Sequence, residues 1–154
     1  MKRSAGLLMY RRTSGGAIEV LLARPGGPYW RGKDTGAWTL PKGEYEPPEQ
    51  PLAAALREWA EETGFPAHPP FLPLGDVVQK AGKRVSAWAF EGDCDPAAMQ
   101  CNTFEMEWPP RSGRMQTFPE LEEVRWFAID DARARINAAQ AIFLERLVRA
   151  IDLS

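Results

Sequence analysis

The stretch GEYEPPEQPLAAALREWAEETGF, Gly43 to Phe65, holds the clearest helix of the chain and its strangest charge pattern. Pro47, Pro48 and Pro51 suit a helix entrance, where a missing N–H costs nothing. Leu52 to Thr63 is dense in Ala, Leu, Glu and Arg, and Gly64 followed by Pro66 predicts the stop. With Glu58 set at 0° and about 100° per residue, Glu61 falls near 300° and Glu62 near 40°. Trp59, Leu52, Thr63 and Leu56 fall between about 100° and 160°, a separate face that enters a core. Three carboxylates thus share one stripe near a helix C-terminus. They oppose the helix dipole and repel one another by ~0.2–0.5 kcal/mol per pair. A hard divalent cation reverses that sign, because Mg²⁺ takes carboxylate oxygens and keeps sites open for phosphate.

For an average helix of this kind, an acidic solvated face with Arg57 paired to Glu61 is the favoured explanation. The upstream spacing decides otherwise. Gly43-x5-Glu49-x7-Arg57-Glu58-Trp59-Ala60-Glu61-Glu62-Thr63-Gly64-Phe65 resembles the box of the Nudix hydrolase superfamily at seven fixed positions. Apolar Trp59 and Phe65 fill its two hydrophobic slots, Trp59 where an aliphatic residue is usual. At average residue usage such a match arises on the order of 10⁻⁸ per frame.

The resemblance implies a Nudix-type α/β/α sandwich with a central mixed β-sheet, and hydrolysis of a nucleoside diphosphate linked to another moiety. It implies Mg²⁺ or Mn²⁺ held by Glu58, Glu61 and Glu62 with the Gly43 carbonyl. It makes Glu58 and Glu61 catalytic, and Arg57 with Glu49 the pair that orients them. Flanking segments narrow the family. Trp38-Thr39-Leu40-Pro41-Lys42-Gly43, then Gly82-Lys83-Arg84-Val85, then Glu120-x4-Arg125-Trp126 resemble, in order, segments of the diadenosine polyphosphate hydrolases. On that resemblance Lys42 and Lys83 grip phosphates and Glu120 is a base or metal ligand; Trp88 beside the basic segment, or Tyr29 or Trp30 in the Arg24–Trp30 loop, whose aromatics are read from the loop itself, stacks on a base. The alternatives are a modified nucleoside triphosphate as substrate, or a catalytically silent nucleotide-binding module, a class that usually loses box carboxylates.

Outward from the box, Ser4 to Arg12 and Ala17 to Ala23 read as a hairpin around Thr13-Ser14-Gly15-Gly16. Residues 24 to 36 read as a loop and Ala37 to Leu40 as a short strand ended by Pro41. Strands are expected at Leu74–Val78, Arg84–Phe90, Asn102–Trp108 and Val124–Ile129, with the rest of 91–119 as loop. A closing helix capped by Asp130 or Asp131 carries Ile136, Ile142, Phe143, Leu147 and Ile151. These 154 residues fit one domain, 1–154, and 44% apolar content supports a core without staples.

Composition closes off other classes. Nineteen basic against 21 acidic residues give −2, which argues against duplex nucleic acid as a partner and leaves a small nucleotide. His68 is the only histidine, which argues against His-rich metal sites and His-based triads. Cys94 and Cys101 lack C-x-x-C spacing and read as reduced thiols. No stretch approaches the ~20 apolar residues of a membrane helix, and the N-terminal apolar run is too short for a signal peptide. The expected location is the cytoplasm.

Overall fold

Strand β1 (Arg3–Arg12) is buried along almost its whole length, and five elements are arranged by it. In the computed structural model, which describes residues 2–152, its second half pairs antiparallel with β2 (Ile18–Pro25), Tyr10 opposite Val20. The ends of the expected domain, residues 1, 153 and 154, lie outside the described residues. The first half of β1 pairs with β3 (Lys42–Tyr45), Ala5 opposite Gly43. On its other edge β1 runs parallel to β5 (Arg84–Glu91), which pairs antiparallel with β4 (Leu72–Val78). Strand β8 (Leu121–Ala128) closes the order β4-β5-β1-β2-β8. The sheet is therefore mixed, and β1 changes partner from β3 to β2 midway.

Period-2 alternation splits β1 between two layers. Ala5, Leu7 and Met9 face helix α1 (Pro51–Thr63) with Leu21, Phe90, Ala54, Ala55 and Trp59. Leu8 and Tyr10 face helix α3 (Ala141–Asp152) with Val20, Leu22, Phe143, Leu144 and Leu147. Helix α2 (Ile129–Arg135) also lies on that second face, through Ala132. This is the three-layer α/β/α arrangement with a mixed sheet. Pro51 opens α1, and Gly64 ends it in the left-handed region at φ 73°.

Four expectations change. The strand at Ala37–Leu40 reduces to two isolated bridges, Ala23 with Thr39 and Trp38 with Ile136. The ladder begins beyond Pro41, which has no N–H to donate, and becomes β3. The closing helix is two helices. Asn137 donates its backbone N–H to the Trp38 carbonyl at 2.7 Å, and this draws Ile136–Asn137 out into extended backbone before α3 begins. Asp130 and Asp131 sit in the first turn of α2, whose cap position is Ala128, so neither is the cap. Strand β6 (Thr103–Glu107) has a partner that sequence reading assigned to loop, β7 (Met115–Pro119). The two form a separate, mostly exposed ribbon, so β7 lacks the half-buried alternation that marks a strand. Among the described residues no helix is long and apolar enough to cross a membrane.

Candidate active site

Burial decides how the acidic stripe of α1 behaves. The stripe packs toward the sheet edge where β3 leaves β1, so it is not the solvated face that like charge would prefer. The Glu58 side chain is 13% exposed, and Glu62 as a residue is 8% exposed. Glu61 is the accessible member, its side chain 41% exposed. Room for Glu58 exists because position 43 has no side chain. A Cβ there would lie 2.0–2.4 Å from the Glu58 carboxylate atoms, so only glycine admits that approach.

Arg57 holds the group together. Its Nε and Nη2 donate to Glu49 at 2.8 and 2.9 Å, a two-pronged pair that fixes the guanidinium plane. The remaining Nη1 donates to Glu58 at 2.8 Å and to Glu61 at 3.2 Å. Hydrogen bonding to Arg57 lowers the Glu49 pKa. Glu58 shifts the opposite way, because burial outweighs the help from Arg57. Burial, then repulsion from Glu58 and Glu120, pushes Glu62 up to about 8.

A cleft of about 470 Å³ opens over these carboxylates. Lys42, Gly43 and Glu44 of β3 line it with Glu58, Glu61 and Glu62, and Lys83 enters from the turn before β5. Glu120, between β7 and β8, closes the far wall beside Asn102 and Thr103. Lys42 is half-buried; burial and repulsion from Lys83 lower it to about 8. Lys83 pairs with Glu44 at 3.4 Å. The far wall is fastened to the helix end: Gln100 and Asn102 donate backbone N–H groups to the Thr63 and Glu61 carbonyls, both at 2.9 Å. These bonds satisfy carbonyls that a helix end otherwise leaves open.

Of the site residues read from sequence, the structure thus gathers Lys42, Gly43, Glu58, Glu61, Glu62, Lys83 and Glu120 in the cleft, with Arg57 bonded to two of its carboxylates and to Glu49. Trp30 and Trp88 are elsewhere. Trp88 lies on β5 opposite Leu7, packed against the core under α1. Trp30 is in the 3₁₀ turn Pro28–Trp30 with Lys33 Nζ 5.5 Å over its ring. Sequence reading missed Glu44, Asn102 and Thr103. Glu44 was legible as the neighbour of Gly43; the other two reach the cleft only through the tie to α1.

Whether the site fits a divalent cation is a question of donor chemistry. Among the described residues no three acidic, histidine or cysteine side chains already converge on one point. Arg57 occupies the space between Glu58 and Glu61. Yet Glu62 Oε2 is buried with no hydrogen-bond partner among the described residues, which is costly unless something meets it. Glu58, Glu61, Glu62 and Glu120, all oxygen donors crowded beside a side-chain-free Gly43, are the hard set that Mg²⁺ or Mn²⁺ takes. The residues fit.

A family model of the NUDIX domain matches residues 1–147. The chain belongs to the Nudix family. As a Nudix hydrolase it cleaves pyrophosphate bonds, and enzymes of this family generally work with divalent metal ions. Its fold is shared with an Ap4A hydrolase of C. elegans solved as a binary complex, at 23% identity and a TM-score of 0.70, covering 98% of this chain and 99% of that one. It is shared also with a Nudix hydrolase of M. smegmatis, RenU, at 24% identity and 0.60, covering 97% and 85%. The Nudix domain of Shewanella oneidensis NrtR, complexed with ADP ribose, aligns at 16% identity and 0.65, covering 97% and 87%. No curated protein sequence matches the chain.

Proposed function

We propose that this Nudix hydrolase cleaves a dinucleoside polyphosphate, with Mg²⁺ or Mn²⁺ bound by Glu58, Glu61, Glu62 and the Gly43 carbonyl. The observation that carries the reading is the charge layout of the cleft. Carboxylates form one wall, Lys42 and Lys83 enter from the strand side, and Glu120 stands opposite. Lysines beside acids suit a polyanion that brings its own counter-charge requirement and bridges to a metal. The Ap4A hydrolase of C. elegans, which has this fold, supports the choice of substrate class.

When bound, the metal neutralises charge on the phosphate oxygens and lowers the pKa of attacking water. The protein's residues do the rest. Lys42 and Lys83 fix two successive phosphates, which places one phosphorus over the carboxylate wall. Glu120 accepts the proton as the water oxygen forms its bond to phosphorus. The P–O anhydride bond then breaks, and its electron pair leaves with the departing phosphate. Arg57 orients Glu58 and Glu61, and Glu49 holds Arg57 in plane.

The test is a panel of dinucleoside polyphosphates, nucleoside triphosphates, nucleotide sugars and diphosphoinositol phosphates, with Mg²⁺ and with Mn²⁺, products resolved by mass. Diadenosine tetraphosphate should show the highest kcat/KM, and ¹⁸O-water should label one product only. If it is inert while a modified nucleoside triphosphate turns over, the substrate class is wrong and the carboxylate site stands.

A further inference from the structure

Beyond the cleft, the β6–β7 ribbon carries an aromatic corner that the catalytic residues leave unused. Tyr29 is 59% exposed and Trp30 37% exposed, large apolar rings presented to water on one short turn. Tyr29 meets Trp108, at the tip of the ribbon, edge to face: centroids are 5.4 Å apart and planes 76° apart. The corner is built rather than loose. Gly26 donates its N–H to the Glu120 carbonyl at 3.0 Å, and Gly27 lies against the Phe104 ring with φ 95°, where a side chain would be strained. At the tip, Glu107 accepts the backbone N–H groups of Arg111 (2.8 Å) and Gly113 (3.2 Å). Arg111 itself sits at φ 63°, a conformation a non-glycine residue rarely holds without a reason outside its own backbone. Around the corner, the side chains of Arg31, Arg111 and Arg114 form no ion pair among the described residues, in a chain whose net charge is −2.

The ribbon links this corner to chemistry. Its base, Asn102, Thr103 and Glu120, lines the cleft, and five residues of strand carry it from Thr103 to Trp108. At ~3.3 Å per residue the corner lies roughly 16 Å from the cleft. That distance suits the far end of a molecule whose phosphates lie in the cleft. We propose that the Tyr29–Trp108 corner is the binding site for the distal nucleobase of the substrate, with the unpaired arginines supplying positive charge beside it. This inference rests on the dinucleoside polyphosphate reading and gives its second nucleoside a place.

The experiment separates the two. Binding is measured by calorimetry with a non-hydrolysable diadenosine tetraphosphate, methylene groups replacing the anhydride oxygens, and with inorganic tripolyphosphate, which has no base. Tyr29→Ala and Trp108→Ala should each weaken the dinucleotide about tenfold, within the range that stacking of one base supports. Tripolyphosphate should bind all variants equally, and Trp108→Phe should restore dinucleotide binding to within about twofold. Tyr29 is exposed, so its variant should fold even if Trp108→Ala disturbs the ribbon. Unchanged dinucleotide affinity in Tyr29→Ala overturns the corner. So does a parallel loss of tripolyphosphate. Wild-type protein that binds the analogue through the corner but never hydrolyses the parent compound overturns the proposed function and leaves the corner standing. Wild-type protein that does not bind it at all overturns both.

Discussion

Helices α1 and α3 cover opposite faces of one sheet, yet they use their buried stripes for different things. In α3 the buried residues are Phe143, Leu144, Leu147 and Ile151, all apolar, each contributing the ~1.5–3 kcal/mol that removing such a side chain from water provides. In α1 the buried residues are Ala54, Ala55 and Trp59, then Glu62 and Thr63. Toward its C-terminus the stripe stops being apolar and becomes the wall of the cleft. A buried carboxyl with an unpartnered oxygen costs about 1–3 kcal/mol where a leucine would have stabilised. One helix stabilises the sheet; the other gives up part of that role to place oxygen donors, and Trp59 anchors it.

The largest expected effect is on that anchor. Trp59 is fully buried, stands edge-on to Phe90 at 5.3 Å, and donates its indole N–H to the Phe65 carbonyl at 2.8 Å. Trp59→Ala should cost roughly 3–5 kcal/mol, a fall of about 10 °C in Tm by differential scanning calorimetry. Phe143→Ala in α3 should cost about as much. The comparison predicts a difference in what survives: folded Phe143→Ala protein should keep its kcat, while Trp59→Ala should lose kcat as well. Equal kcat in the two would mean that α1 does not position the site.

Next is Glu61, the accessible acid. Glu61→Gln should leave Tm unchanged, since half-exposed Glu61 offers little to the core, and lower kcat by more than about a hundredfold, the upper end of what losing an outer-shell partner costs. Full activity in that variant would remove Glu61 from the proposed metal set.

The third effect isolates the cost of burying Glu62. Its folded pKa is about 8 against an ordinary 4.5, so the folded state keeps a proton that the unfolded chain releases. Stability in EDTA should therefore fall as pH rises from about 4.5 to 8, by at most ~1.4 kcal/mol per pH unit for this group. Lys42, lowered to about 8, contributes no slope in that window, because its penalty lifts only above it. Glu62→Gln should flatten the Tm–pH curve in EDTA, leaving the shallower slope of Glu58 and Glu120, whose pKa values are raised in the same sense. Mg²⁺ should raise the wild-type Tm most at the upper end of the window. An unchanged curve in Glu62→Gln would place the pH dependence elsewhere.

The same contrast explains what sequence could reveal. The box residues were legible because their chemistry lies within one helix and its entrance, where spacing alone fixes who shares a face. The hairpin, β4, β5, β6 and β8 were legible from apolar runs between turn residues. Burial of the acidic stripe was not, because helical angle says which residues share a face and not what that face meets; Gly43 admitting Glu58 is a tertiary fact. The break at Ile136–Asn137 was hidden for a similar reason. Helical spacing continues through it, and the bond from Asn137 to Trp38 that ends the helix joins residues about a hundred apart. Trp88 was chosen as an aromatic residue beside a family-like segment, and Trp30 as one carried by a Gly/Pro-rich loop. Core packing claims Trp88, and the turn of Trp30 lies out by the ribbon.

The smallest effect tests whether the strand side of the cleft binds while the helix side catalyses. Lys83 faces the cleft with its side chain 26% exposed and, among the described residues, forms an ion pair only with Glu44, an exposed acid. Its charge should therefore act on a bound polyphosphate with little competition. Lys83→Ala should raise KM about tenfold, the loss expected for one hydrogen bond to a charged group, and leave kcat within a few fold. Glu120→Gln should show the reverse split, with kcat falling and KM nearly constant, if it accepts the water proton. Lys83 also opposes the charge on Lys42, so its removal should let the Lys42 pKa rise from about 8 toward its ordinary value. A chemical-shift titration of labelled lysine side chains reads that shift directly. Should Lys83→Ala lower kcat as much as Glu120→Gln does, binding and catalysis would not be divided between the two walls, and the cleft would act as one unit.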